Sequence, residues 1–299
     1  MNGILNLHKP TGPTSHDCVA RVRHTLGTRR VGHAGTLDPL ASGVLVIGVG
    51  HGTRILEYLQ GLPKVYHAHV VLGLETDSQD VTGATVAEAD ASGVTEEQVR
   101  RELSRFQGDL LQLPPMVSAL KVGGKKLYEL ARRGETVERE PRPVTVYHIE
   151  LLGFTPGPRA EAEFRMRCSA GTYVRTICHD LGQALRTGGA MKVLAREAVG
   201  PFRLDDAVPL AAVQPATPLL PLAQALGHLP SLVVDESSAL RLAHGQFIPA
   251  PEETPDGPVR VLGQDGRLLA MALVRGHGEG RLLNPEKVFV SSDAASVGA

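Results

Sequence analysis

The chain has 299 residues, enough to bury a substantial core in one large domain or two, and two is the expectation. Its 31 Lys plus Arg balance 32 Asp plus Glu, so bulk charge carries no signal for nucleic acid and local distribution has to decide that question. With no Trp, five Tyr and six Phe, a sheet of aromatic platforms for stacking many bases is not expected.

Ile4 to Leu7 reads as a strand, Lys9-Pro-Thr-Gly-Pro13 as a turn, and Ser15 as the N-cap of a helix with Val19, Val22 and Leu26 on one face. Arg21, Arg23, Arg29 and Arg30 make this region basic, which suits a solvated helix face and RNA contact equally. The next segment, Val31 to Leu45, sets one carboxylate, Asp38, between a glycine-punctuated loop and an apolar strand. Gly32 and Gly35 open backbone angles closed to other residues, and Pro39 biases Asp38 toward an extended conformation. Val44 to Ile47 is the strand that anchors this loop. Composition alone makes such a loop a turn more often than an active site.

Val44 to Thr53 also imitates a dinucleotide fingerprint: a strand, Gly-x-Gly, then a helix expected from Arg54. Thr53 occupies the third glycine position, and no alternation of strands and helices follows, so a dehydrogenase is the weaker reading. Lys64 to Leu72 is a strand with Tyr66 and Ala68 on one face and His67 and His69 on the other. Two histidines with no third ligand near them in sequence suit the wet face of an antiparallel strand, and no metal site is expected. Glu75 to Asp80 reads as an acidic surface turn.

Thr95-Glu-Glu-Gln98 has capping-box form, with Val99, Leu103 and Phe106 at helical spacing before Gly108. From about 113 to 146 the chain is Pro-bounded and net basic, carrying Lys121, Lys125, Lys126, Arg132, Arg133, Arg139 and Arg142, which suits an arm that grips phosphates. Ala160 to Cys168 alternates without a fault as a strand. Ser169-Ala-Gly171 then turns into a helix with Val174, Ile177, Cys178, Leu181 and Leu185 in one stripe and Tyr173 and Arg175 at its start. Ala211 to Leu229 is a connector, and a boundary falls near Pro230. Short strands at Ser231 to Val234, Val259 to Leu262, Leu268 to Val274 and Val288 to Val290 suggest a small β-barrel, with residues 291–299 as a flexible tail.

Cys18, Cys168 and Cys178 form neither a CxxC pair nor a ligand-spaced cluster, so neither disulfide framework nor zinc site is indicated. No signal-peptide pattern and no run of about 18 apolar residues is seen, and a soluble cytoplasmic monomer is expected.

Gly32-His-Ala-Gly-Thr-Leu-Asp-Pro-Leu-Ala-Ser-Gly43 resembles the signature of the TruB family, bacterial synthases that convert uridine 55 in the TΨC arm of tRNA to pseudouridine. The likeness continues, in the family's order, through Asn6 to Pro10, Lys64 to Tyr66, Pro115 to Lys121, Gly124 to Tyr128 and Cys168 to Ile177. The stretches Gly266 to Ala272 and Asn284 to Phe289 are similar to the PUA-like RNA-binding barrels appended to such enzymes. The resemblance implies an α+β fold: a catalytic domain over residues 1–229 around a mixed, largely antiparallel sheet, a thumb inserted at about 113–146, and a PUA-like domain over 230–290.

Carried over position by position, the resemblance makes Asp38 the catalytic carboxylate, Tyr66 the ring against the target uracil and Arg175 the partner that keeps Asp38 ionised. His33, Tyr173 and Leu194 line the substrate pocket, while Lys9, Arg30, Lys121, Lys125 and Lys126 contact phosphates. Ala195-Arg196 stands where many family members carry two arginines, and Ala34, Thr36 and Val117 fall at variable positions. The reaction implied moves a glycosidic bond from N1 to C5 of uracil with no electron gained and no water consumed, so no cofactor and no metal is implied. The carboxylate can attack sugar or base, or assist elimination to a glycal, and the residues leave those routes open. The implied partner is the TΨC arm of tRNA, with no protein partner and no membrane. A non-catalytic tRNA-binding or folding chaperone is the alternative that uses the same surface without bond making.

Overall fold

The computed structural model describes residues 1–116, 118, 121–122, 125–126, 137–276 and 280–289, with only the backbone at 121–122 and 125–126. The first strand, β1 (Gly3–Lys9), leads through a proline-rich turn into α1 (Ser15–Thr25). Thr14, not Ser15, caps this helix: its hydroxyl accepts from the Asp17 amide while the Asp17 carboxylate takes the Thr14 amide, a complete capping box. Ser15 is thereby left free to point inward, where it is 3% exposed.

The strands that follow are β2 (Val31–His33), β3 (Ser42–Val49), β4 (Lys64–Leu72), the small pair β5 (Leu74–Thr76) and β6 (Thr85–Glu88), and β7 (Gly108–Gln112). Between them lie α2 (Leu56–Gln60) and α3 (Glu96–Ser104), the latter opened by the expected Thr95–Gln98 capping box. After β7 come two-residue strands β8 (Lys121–Val122) and β9 (Lys125–Lys126), which pair with each other. Then follow β10 (Arg142–Thr155), β11 (Glu161–Cys168), α4 (Val174–Ala184), β12 (Gly189–Val199), β13 (Phe202–Arg203) and β14 (Val208–Pro209).

One ten-stranded sheet runs β14-β1-β3-β12-β4-β11-β10-β7, with β2 on β3 and β13 on β12 off that path. Only the β1–β14 and β3–β12 pairings are parallel, so the sheet is mixed and largely antiparallel as expected. Arg142 pairs with Gln112 across β10 and β7, so the basic excursion is the connection of an antiparallel pair and ends before Arg142, not at 146. Arg139 donates to the Pro114 carbonyl at 2.9 Å and ties the base of that excursion. Helix α4 packs on β12 and α3, burying Val174, Ile177, Cys178 and Leu181 with Tyr66, Phe164, Met166 and Leu194 in one core. Burial removes most of the apolar surface of these side chains from water, worth about 1.5–3 kcal/mol for each large one.

The Gly-x-Gly segment is no dinucleotide loop. Residues Gly50–Ile55 form a 3-10 turn, and β3 lies antiparallel to β1. The segment is packed tightly on β1, because a Cβ on Gly52 would lie 2.1 Å from the Gly3 carbonyl oxygen.

The connector after residue 210 returns to β1, where Ile4 and Leu220 exchange backbone hydrogen bonds of 2.9 and 2.7 Å. It includes α5 (Leu222–Ala225). The C-terminal region forms its own five-stranded sheet from β15 (Ser231–Val233), β16 (Ile248–Pro249), β17 (Pro258–Leu262), β18 (Leu268–Arg275) and β19 (Leu282–Val288), ordered β15-β17-β18-β19-β16. Helix α6 (Glu236–Ala243) packs on it. The last long strand covers Leu282–Val288 where Val288 to Val290 was expected, and it accommodates Pro285, a residue that reads in sequence as a strand breaker, beside a bulge opposite Ala272. This half-barrel is docked on the first sheet: Leu268 and Met271 share a core with Ile4, Val44 and Ile55. Arg54 donates to the Val288 carbonyl at 2.6 Å, and Lys287 donates back to the Arg54 carbonyl at 2.8 Å.

Candidate active site

The loop between β2 and β3 has to bury carbonyls that make no sheet bonds, and a buried carbonyl without a donor costs about 1–3 kcal/mol. Side chains from three other elements supply the donors. Arg196 of β12 is 1% exposed and reaches Val44 O at 2.7 Å, Gly35 O at 3.1 Å and Thr36 O at 3.3 Å. Lys9, at the end of β1, places its ammonium 2.6 Å from Ala41 O and 3.5 Å from Pro39 O. The Ser15 hydroxyl both accepts from the Leu37 amide, at 2.8 Å, and donates to the Leu37 carbonyl, at 3.0 Å. The loop backbone answers in kind. Gly35 and Gly43 have φ of +95° and +110°, and a Cβ on Gly43 would lie 2.2 Å from Arg196 O, so residue 43 has room for glycine alone.

Clamped on both sides of Asp38, the loop presents that carboxylate to α4. Arg175, 3% exposed in the first turn of α4, sets its Nε 3.0 Å from Asp38 Oδ2. Its Nη1 donates to Ser78 O at 2.9 Å and lies 3.8 Å from Asp80 Oδ2. Asp80 is itself 6% exposed, and its Oδ1 accepts from Ser78 Oγ at 3.0 Å and the Thr82 amide at 2.9 Å. A guanidinium shared between one dry and one half-exposed carboxylate has its fork fixed by the dry one and aimed at the other. Removing one partner of such a buried arrangement costs about 3–5 kcal/mol, because a charge is left desolvated.

The segment Glu75 to Asp80, expected at the surface, is thus partly core: Thr76, Ser78 and Asp80 are all buried. Composition pointed to solvent. The signal to the contrary was the hydroxyl spacing around Asp80, since Ser78 and Thr82 flank it at two residues on either side and both donate to its Oδ1.

Tyr66 pairs in register with Arg196 across β4 and β12, is 8% exposed, and its phenol lies within reach of the Arg196 charge. Burial pushes the phenol pKa up, the Asp38 charge adds to that, and Arg196 opposes it. Leu194, 6% exposed on the same strand as Arg196, belongs to one core with Tyr66, Leu37 and Ala41, so the fold brings Asp38, Tyr66, Arg175 and Leu194 together. His33 ends β2; burial, assisted by the Arg196 charge, lowers its pKa, and its Nδ1 is buried with no protein partner among the described residues. Tyr173 precedes α4, its backbone held by the Gln112 side chain at 2.7 and 3.0 Å.

The expected phosphate contacts divide. Arg30 is exposed beside Arg29. Lys9 is not available: it is 0% exposed, its ammonium is taken by loop carbonyls, and burial lowers its pKa, so it braces the loop that carries Asp38 instead. The side chains of Lys121, Lys125 and Lys126 lie outside the described residues, as do Arg132 and Arg133.

Solved structures share this fold and define its class. A chain in an H/ACA RNP bound to a substrate RNA containing 2′-deoxyuridine superposes with a TM-score of 0.72 and 26% identity, covering 97% of this chain and 86% of that one. A chain of a Cbf5-Nop10-Gar1 complex gives a TM-score of 0.73 at 27% identity, over 98% and 86%. The fold is that of the pseudouridine synthases.

Within that class, the model of the TruB family pseudouridylate synthase N-terminal domain matches residues 23–174, that of the tRNA pseudouridylate synthase B C-terminal domain matches 175–221, and that of the pseudouridine synthase II TruB C-terminal region matches 230–289. The tRNA pseudouridine synthase B of Symbiobacterium thermophilum is 51% identical over 82% of both chains, and that of Heliobacterium modesticaldum 40% identical over 99% of this chain and 98% of its own. This chain belongs to the TruB family.

Proposed function

We propose that the protein is an isomerase that converts uridine 55 of the TΨC arm of tRNA to pseudouridine, with Asp38 as the reacting carboxylate. The observation that carries this reading is the 3.0 Å contact between the Asp38 carboxylate and a buried Arg175 that Asp80 also holds. The reaction breaks the bond from C1′ to N1 of uracil, turns the base, and forms the bond from C1′ to C5. A proton leaves C5 and N1 ends protonated, so atoms and electrons balance within the nucleotide.

The chain supplies orientation and exclusion of water. Arg175 positions Asp38, Tyr66 lies against the base, and His33, Tyr173 and Leu194 form walls of the pocket. A stacked uridine has to be drawn out of its arm first, which costs a few kcal/mol and is offset by phosphate contacts. Arg30 and the lysines at 121, 125 and 126 provide them, the latter from an arm rooted between two sheet strands. Residues 1–229 are the catalytic domain and 230–290 a PUA-like module for RNA; the tail proposed for 291–299 lies outside the described residues. The enzyme acts as a monomer in the cytoplasm; among the described residues no helix is long and apolar enough to cross a membrane.

Nucleoside analysis of a tRNA transcript tests the reading. One pseudouridine per transcript is expected, and none from a transcript with cytidine at position 55. Conversion of the second transcript, or of neither, contradicts the assignment. Replacing Lys121, Lys125 and Lys126 together is expected to flatten the salt dependence of binding by about 0.7–0.9 logarithmic units per lost phosphate contact.

A further inference from the structure

Strand β4 carries Tyr66 on its core face and His67 and His69 on its opposite face. Sequence spacing offers those histidines no third ligand, but the antiparallel register does: Glu163 of β11 stands directly across from His69 and diagonally from His67. Glu163 Oε1 lies 2.5 Å from His67 Nε2 and 3.9 Å from His69 Nε2, and the two imidazole centroids are 5.1 Å apart.

We propose that His67, His69 and Glu163 form a binding site for one divalent transition-metal ion of the zinc type. The three ligand atoms all lie within 4.8 Å of one another. In a tetrahedral centre with bonds of about 2.0–2.2 Å the ligand atoms stand roughly 3.3–3.6 Å apart, between the 2.5 and 3.9 Å that separate Glu163 Oε1 from the two imidazoles, so small side-chain rotations bring these pairs to ligand spacing. Two imidazole nitrogens with one carboxylate oxygen suit zinc and its neighbours, whereas magnesium and calcium take oxygen.

The hydrogen bonds of the neighbouring cations go to other carboxylates, while the Arg165 charge also acts on Glu163. Arg165, the nearest cation on β11, is already held by Glu197 at 2.8 and 3.2 Å, and Lys192 is held by Glu161. The three side chains are 27%, 30% and 38% exposed, so an ion enters from solvent and keeps water in its remaining position. Bound there, it staples β4 to β11 on the face away from Tyr66, apart from the isomerisation.

Chelator-treated full-length protein titrated with zinc chloride, followed by calorimetry and by competition with a chromophoric chelator, tests the proposal. The parent is expected to take up one equivalent more than His67→Gln/His69→Gln. Glu163→Gln keeps a hydrogen-bonding group beside His67 and is expected to bind that equivalent at least about tenfold more weakly, since even outer-shell partners are worth 10–100-fold. Cobalt(II) in the same site is expected to show visible d–d bands without thiolate charge transfer, because Cys18, Cys168 and Cys178 are buried elsewhere. Equal zinc stoichiometry and affinity in the parent and both variants, no uptake by the parent, or a thiolate band would overturn it.

Discussion

The loop that carries Asp38 and the outer face of β4 and β11 both set cations against acceptors, and burial makes them different devices. Around the loop, Lys9, Arg175 and Arg196 are 0%, 3% and 1% exposed and lie against carbonyls and carboxylates with little water. On the outer face the Arg165 and Lys192 side chains are 46% and 45% exposed. A pair at 4 Å is worth about 1 kcal/mol in bulk water and about 4 at an effective dielectric of 20. The inner cations therefore fix geometry, while the outer ones are close to neutral in energy and can be rearranged, by a metal ion among other things.

That contrast can be broken most severely at Arg175. Arg175→Met leaves Asp80 buried beside an apolar side chain and Asp38 unaimed. Chemical or thermal unfolding is expected to show a loss of about 3–5 kcal/mol, and single-turnover pseudouridine formation to fall at least 10²-fold, the typical consequence of a misplacement of order 1 Å. Arg196→Lys comes next. One ammonium cannot reach the carbonyls of residues 35, 36 and 44 together, so a loss of about 1–3 kcal/mol per orphaned carbonyl is expected, with a slower chemical step and intact tRNA affinity. Unchanged rates in either variant would mean that the dry cations do not position the loop.

Proton linkage sharpens the same comparison with a smaller effect. Burial, reinforced by Arg196, lowers the Lys64 pKa from 10.5 to about 8. Above about pH 8 the unfolded chain then binds more protons than the folded one, so stability rises with pH. Cys168 works the other way, since burial raises its thiol pKa to about 11 from 9. The buried thiols of Cys178 and Cys18 oppose the climb in the same way, so the Lys64 contribution is read by difference: relative to Lys64→Met, the parent is expected to gain about 1 kcal/mol of stability between pH 8 and 9. Smallest of all, Arg165→Ala on the outer face should shift unfolding by no more than about 1 kcal/mol despite the two hydrogen bonds to Glu197.

Much of this was legible in the residues. Alternation marked β4 and β11, the capping box marked α3, and the glycine and proline around Asp38 marked the loop that carries it. What stayed hidden depends on contacts far apart in the chain. Arg196 meets residues 160 positions away, Ser15 meets Leu37, and Asp80 reads as solvent-facing until Arg175 is brought above it. Lys9 carries the charge of a phosphate ligand, yet the end of β1 buries it under the loop. Glu163 becomes the third neighbour of two histidines only through strand register. Local pattern gives elements; which polar groups end up dry is decided by tertiary packing.

Release of tritium from C5 of uridine in a tRNA transcript tests the central claim most directly, because the proton leaves only when the new bond to C5 is made. The parent is expected to release one equivalent per transcript, and Asp38→Asn none, while both bind the transcript equally in a filter assay. Release by Asp38→Asn at the parent's rate would show that the carboxylate held by Arg175 is not the group that carries the reaction.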